Sequence, residues 1–190
     1  MSARLLTCLV GLTALASGCT EAGSPMPSTS TTAPATTREY GAPGVHEPIA
    51  PGRFRKDPCA VLTPEQSGGL GWEPEGTAHK LESNDPYCDW DNEKTLETFV
   101  FGWLASNSGG LDDTYRVFKN DTGYFEPVVI EGYPGVFHFS EDLRPRGHCN
   151  LVVGIRDELT FHVDGDGDGP EVCDTVREMA VLAITTMKAG

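Results

Sequence analysis

The chain is short of positive charge. Its 190 residues carry 14 Lys and Arg against 28 Asp and Glu, with five histidines. That balance leaves no basic patch to neutralise phosphates, so nucleic acid is not an expected partner. It also disfavours close contact with anionic lipid headgroups. Long apolar runs are missing too. The stretch from Leu5 to Ala16 covers 12 residues. As a helix it would rise about 18 Å, well short of the ~30 Å hydrocarbon core, so no transmembrane helix is expected. Internal repeats are absent, and so are the short patterns that announce catalysis: no G-x-S-x-G elbow, no S-x-x-K pair and no HExxH. Acid pairs such as Asp112-Asp113 and Glu141-Asp142 are adjacent in sequence and read as solvated. With so many acids some proximity arises by chance, and carboxylates alone do not argue for a glycosidase. These absences point away from an enzyme.

What is present begins at the N-terminus. Arg4, the apolar stretch and then Leu15-Ala16-Ser17-Gly18-Cys19 have the form of a secretory signal closed by a lipobox, with Ala16 where Leu is commonest. Residues 1–18 are expected to be a signal peptide, and Cys19 the lipidated first residue of the mature protein on the extracytoplasmic face of the cell membrane. Cys8 is a poor alternative, because Leu6-Thr7 precede it where small residues are needed. Cleavage would remove one base and no acid, leaving 13 basic against 28 acidic residues and a formal charge of −15. Residues 19–53 are rich in Ser, Thr, Pro, Gly and Ala, offer little to bury, and are expected to form a disordered tether. As a coil it would span roughly 30–35 Å, and as extended polyproline about 100 Å.

Residues 54–190 have globular composition and suit one domain. Four cysteines fall there: Cys59, Cys88, Cys149 and Cys173. An even number in an exported chain implies two disulfides, with three connectivities open. Thr63-Pro64-Glu65-Gln66 starts a helix through a capping box. Period-2 alternation of Phe99, Phe101 and Trp103 marks the second of two strands, Tyr87–Asp91 and Glu97–Leu104. Leu111, Tyr115 and Phe118 suggest a short helix. Two hairpins follow, one turning at Gly132-Tyr133-Pro134 and one near Arg156-Asp157-Glu158. Val172, Val176, Met179, Ala180, Ala183, Ile184 and Met187 then define one face of a long amphipathic helix. The expected class is α+β: a mostly antiparallel sheet with helices packed on one face.

Taken in order, several pieces resemble the actinobacterial lipoprotein family called domain of unknown function 3558. They are the lipobox, the Ser/Thr/Pro tether, Asp57-Pro58-Cys59 leading into Leu62-Thr63-Pro64, Cys88-Asp89-Trp90, Tyr133-Pro134-Gly135, Cys149 on a strand, and Cys173 opening the last helix. The layout is also similar to the extracellular sensor domains of some actinobacterial receptor kinases, which pair their cysteines sequentially. The resemblance implies Cys59–Cys88 and Cys149–Cys173 here. It implies no known activity and supplies no catalytic residue.

The remaining candidates are sparse. Asp164-Gly165-Asp166-Gly167-Asp168-Gly169 alternates carboxylates with glycine, as calcium loops do. The calcium-binding pattern wants Glu at position twelve, where this chain has Thr175. Asp164, Asp166 and Asp168 are thus a calcium candidate against a plain reading as a flexible acidic loop, and no other cofactor is expected. His138 and His162 lie mid-strand and His148 precedes Cys149, so two could meet on one face and bind zinc. Most aromatics should be core. The first functional reading is a lipid-anchored binding or sensing module whose partner is an envelope protein, a glycan or a small ligand. A cell-envelope hydrolase with an unrecognised site is the second, and a structural spacer the third. A concave pocket with converging polar groups would favour the hydrolase, and an exposed aromatic groove the binding module.

Overall fold

The computed structural model describes residues 38–80, 85–92 and 94–190. Cys19, the signal segment and the Ser/Thr/Pro run to residue 37 lie outside the described residues. Seven strands form one antiparallel sheet: β1 (Thr77–Lys80), β2 (Pro86–Asn92), β3 (Glu97–Trp103), β4 (Tyr124–Ile130), β5 (Tyr133–Phe139), β6 (His148–Arg156) and β7 (Leu159–Asp166). Their order across the sheet is β1-β2-β3-β7-β6-β5-β4. Among the described residues three α-helices accompany it, α1 (Pro64–Gly69), α2 (Leu111–Phe118) and α3 (Val172–Ala189). This is an α+β fold.

Strand alternation divides the sheet into two unlike faces. One carries Phe99, Phe101 and Trp103 of β3, Phe161 and Val163 of β7, and Leu151, Val153 and Ile155 of β6, all sealed from solvent. Helix α3 lies on this face and buries the seven residues its periodicity marks. Burial of each large apolar side chain is worth roughly 1.5–3 kcal/mol, so most of the stability resides here. Gly165 lets the helix approach, because a Cβ there would meet Phe99, Val172 and Val176. Helix α1 joins the same layer. Thr63 and Gln66 form the reciprocal capping box, and Thr186 of α3 donates to Gln66 Oε1 at 3.1 Å. Two disulfides lock the layer to the sheet. Cys59–Cys88 ties the turn at Pro58–Val61 to β2, and Cys149–Cys173 ties the start of β6 to the first turn of α3.

The other face takes α2. Leu111 and Tyr115 pack on Val136 of β5 and Val152 of β6, with Ala42 beside them, as a second and smaller core. Ala42 belongs to a stretch that the sequence assigns to the tether, and the structure corrects that boundary. Ala42 is fully buried. Tyr40 and Ala42 donate their backbone N–H groups to the Asp112 carboxylate at 3.1 and 3.2 Å. Further on, the Ile49 N–H reaches the Ile155 carbonyl at 3.0 Å, and Tyr133 donates its hydroxyl to the Glu47 carbonyl at 2.8 Å. Residues 38–53 therefore run as a strap over the domain. Single buried residues, Ala42 and Ile49, and hydrogen bonds to partners distant in sequence hold them, which composition does not reveal.

Two smaller differences concern strands. β1 lacks an apolar pattern, being exposed along its length. The β4–β5 turn is Glu131-Gly132, both at positive φ (50° and 86°), and Pro134 lies within β5 opposite Val129. A two-residue turn with two positive φ values matches the twist of a hairpin. Proline near the start of a strand costs no ladder bond that matters.

Candidate functional site

The site lies where α2 crosses β5, β6 and β7. Alternation places His138 (β5), Asn150 and Val152 (β6), and His162 and Asp164 (β7) on the α2 side. Cross-strand register sets Asn150 opposite Asp164 and Val152 opposite His162. On β7's other flank His162 faces Gly102, and a Cβ at Gly102 would collide with the imidazole ring. Glycine at 102 is therefore what allows the ring to occupy that position.

Helix α2 forms the roof. Gly110 begins it at φ 60°, a conformation that suits glycine. Asp112 and Asp113 in its first turn and Arg116 in its last suit the helix dipole. Asp113 also accepts the Gly109 N–H at 2.8 Å and an Arg116 bond at 3.2 Å. Between roof and floor is a cavity of about 390 Å³. Leu104, Val117, Phe118 and Val152 supply apolar walls, and His138, Asn150 and His162 the polar floor. That size and mixture fit a small-molecule pocket.

The polar groups are ordered by Asp164. Its two carboxylate oxygens take Asn150 Nδ2 and His162 Nδ1, each at 2.6 Å. Burial would raise this carboxyl. The His162 bond and charge, the Asn150 bond and the nearby His148 outweigh it and hold Asp164 below its ordinary value. An ionised Asp164 fixes both partners. Asn150 must turn its amide nitrogen toward the carboxylate, so its Oδ1 is left facing elsewhere. His162 must carry a proton on Nδ1, so in the neutral ring Nε2 is an acceptor.

His138 has no such partner. It is 6% exposed, and neither ring nitrogen has a hydrogen-bond partner. Phe118 lies over it, with ring centroids 4.2 Å apart. Burial pushes its pKa down to about 4; Asp164 pulls the other way, and His162 adds to the lowering. Asn150 Oδ1 is likewise buried without a partner. Each such group costs about 1–3 kcal/mol. Two of them on the floor of one cavity mark it as more than a packing defect.

The structure brings His138 and His162 to the same floor, but β6 separates their strands. His148, on the same face, pairs through Nδ1 with Asp166 at 2.8 Å. The acidic motif is therefore distributed differently from the sequence expectation. Asp164 and Asp166 belong to β7, because pairing with β6 continues through His148–Asp166. Only Asp168 stands in the bend beyond, exposed. The first two serve two histidines and do not gather with the third as a calcium loop would. Among the described residues no three His, Cys, Asp or Glu side chains group as metal ligands. Of the aromatics, only Tyr40 is markedly exposed among the described residues. Asn150 is the site residue that sequence reasoning missed, since an asparagine in a strand signals nothing until its neighbours are known.

The family model described as "protein of unknown function (DUF3558)" matches residues 14–186, and the chain belongs to that family. Comparison with curated proteins and with solved structures finds no match.

Proposed function

We propose that this DUF3558 family member is a non-enzymatic small-ligand-binding module, held at the extracytoplasmic face of a cell membrane by a lipid on Cys19. One observation carries the binding reading: a cavity of about 390 Å³ whose floor holds His138 and Asn150 with buried, unpartnered polar atoms. A ligand that satisfies them recovers the free energy the domain forgoes. The Leu15–Cys19 lipobox supports the anchor, and among the described residues no helix is long and apolar enough to cross a membrane. A ligand-sensing role fits the resemblance to receptor-kinase sensor domains, by analogy of layout only. Ligand-observed NMR of a fragment library against the full chain tests the pocket. Val117 is exposed and lines the cavity. Fragments that bind the wild type should be lost in Val117→Trp, which fills the mouth without entering the core. Equal hits on both proteins would place binding elsewhere.

The concave pocket with its converging polar floor meets the criterion stated for a hydrolase, and no exposed aromatic groove is seen among the described residues, so these and the His162–Asp164 pair favour one second reading, an envelope hydrolase. An aspartate that orients a histidine is how a general base is built. Among the described residues the only hydroxyl-bearing side chain lining this cavity is Thr114, so the base would have to activate water. Hydrolysis of p-nitrophenyl acetate that falls at least tenfold in His162→Gln would support this reading over simple binding.

A further inference from the structure

The class of ligand follows from the donors and acceptors on the floor, given that the cavity is a binding site. Asn150 Nδ2 is committed to Asp164, so Oδ1 is a free acceptor. His162 Nδ1 is committed to the same carboxylate, which leaves Nε2 as the ring nitrogen without that bond. His138 brings one donor and one acceptor, both without partners. Among these buried, unpartnered atoms two acceptors stand against one donor. The fixed charges agree. Asp164 lies directly behind the floor. Arg116, the one permanent cation among the described lining residues, is half exposed and already engaged by Asp113 at 3.2 Å. On the floor an anion would find a single unpartnered N–H, that of His138, and the Asp164 carboxylate behind. The walls, Leu104, Val117, Phe118 and Val152, ask for an apolar or aromatic body.

We infer that the cavity selects a small molecule with an apolar or aromatic body that presents N–H donors, as an amide, amidine or amine does, and that it rejects carboxylates and phosphates. His138 stays neutral at physiological pH because burial lowers its pKa to about 4, so it supplies no cation for an anion. Phe118 lies over His138 and must swing aside for a head group to reach the ring.

Three probes of nearly one size separate charge and donor count from shape: benzamidine, benzamide and benzoate. Each is titrated into the isotope-labelled full chain, following the Asn150 side-chain amide and the His138 and His162 ring resonances. Benzamidine and benzamide should shift these signals with dissociation constants at least tenfold lower than benzoate's. Benzoate binding as tightly as benzamide at these residues would overturn the donor-selective class while leaving the pocket standing. If none of the three moves these resonances at tens of millimolar, the pocket itself is not a ligand site, and both readings fall.

Discussion

His138 holds two polar atoms in an apolar setting under Phe118, and its titration reports that setting. Its pKa of 6.5 in an unfolded chain falls to about 4 in the fold. Between those values the unfolded chain takes up a proton that the folded domain refuses. The associated stability is intact above about pH 6.5 and is lost as pH falls toward 4, about 3 kcal/mol in all. Asp164, held below its ordinary value, adds a loss of the same sign at lower pH. Denaturant unfolding from pH 7 to 4 should show a shallower decline in His138→Leu than in the wild type, and parallel curves would refute the burial of a neutral ring. Thr160 offers a second check. Its hydroxyl is buried without a partner, so Thr160→Val should leave stability unchanged or raise it by about 1 kcal/mol. At this scale the sequence was only partly legible. Alternation places His138 and His162 on strands, but which strands neighbour each other depends on long-range pairing. Asn150 gains meaning only because β6 lies beside β7, with Asp164 directly opposite.

The elements that a local pattern defines were the legible ones. The α3 face, the capping box at Thr63–Gln66, and the α2 triplet Leu111, Tyr115 and Phe118 all follow from spacing within a few residues. β1 and the strap of residues 38–53 were not legible, since neither buries a periodic apolar face and both rely on partners distant in sequence. The strap depends on Asp112, which binds the Tyr40 and Ala42 N–H groups. Asp112→Ala should cost about 1–3 kcal/mol and leave those two amides unprotected in hydrogen exchange, with α3 amides unaffected. Retained protection at Tyr40 and Ala42 would show that other contacts hold the strap. The disulfides make a prediction of a different kind. Cys149 and Cys173 are 24 residues apart in sequence. In the chain-entropy model, closing that loop is worth about 3–4 kcal/mol. The paired change Cys149→Ser with Cys173→Ser should lower unfolding stability by up to that amount, measured with Cys59–Cys88 intact. A change under about 1 kcal/mol would mean that the reduced chain keeps the α3–β6 packing by itself.

The molecule as a whole has unlike faces. One side of the sheet is sealed by aromatics, α3 and two disulfides and serves stability. The other, where α2 and Ala42 cover a smaller apolar core, carries the polar floor and holds the cavity. A rigid layer under a lightly covered one is a suitable frame for a binding site, because the floor stays in register while the roof yields. Under the proposed anchoring, strong negative charge and the Ser/Thr/Pro run between Cys19 and residue 38 would hold the domain just off a membrane, within reach of small molecules at its outer face. Intact-mass analysis should find acyl mass on Cys19 and two disulfides. Four free thiols or an unmodified Cys19 would contradict that placement. The most direct test of binding beneath α2 is native mass spectrometry of the full chain purified from its own membranes, compared with its denatured mass and with Val117→Trp. The expected result is a small non-covalent adduct on the native wild type that disappears on denaturation and is absent from the variant. Identical adducts on the two proteins, or none on the wild type, would contradict it.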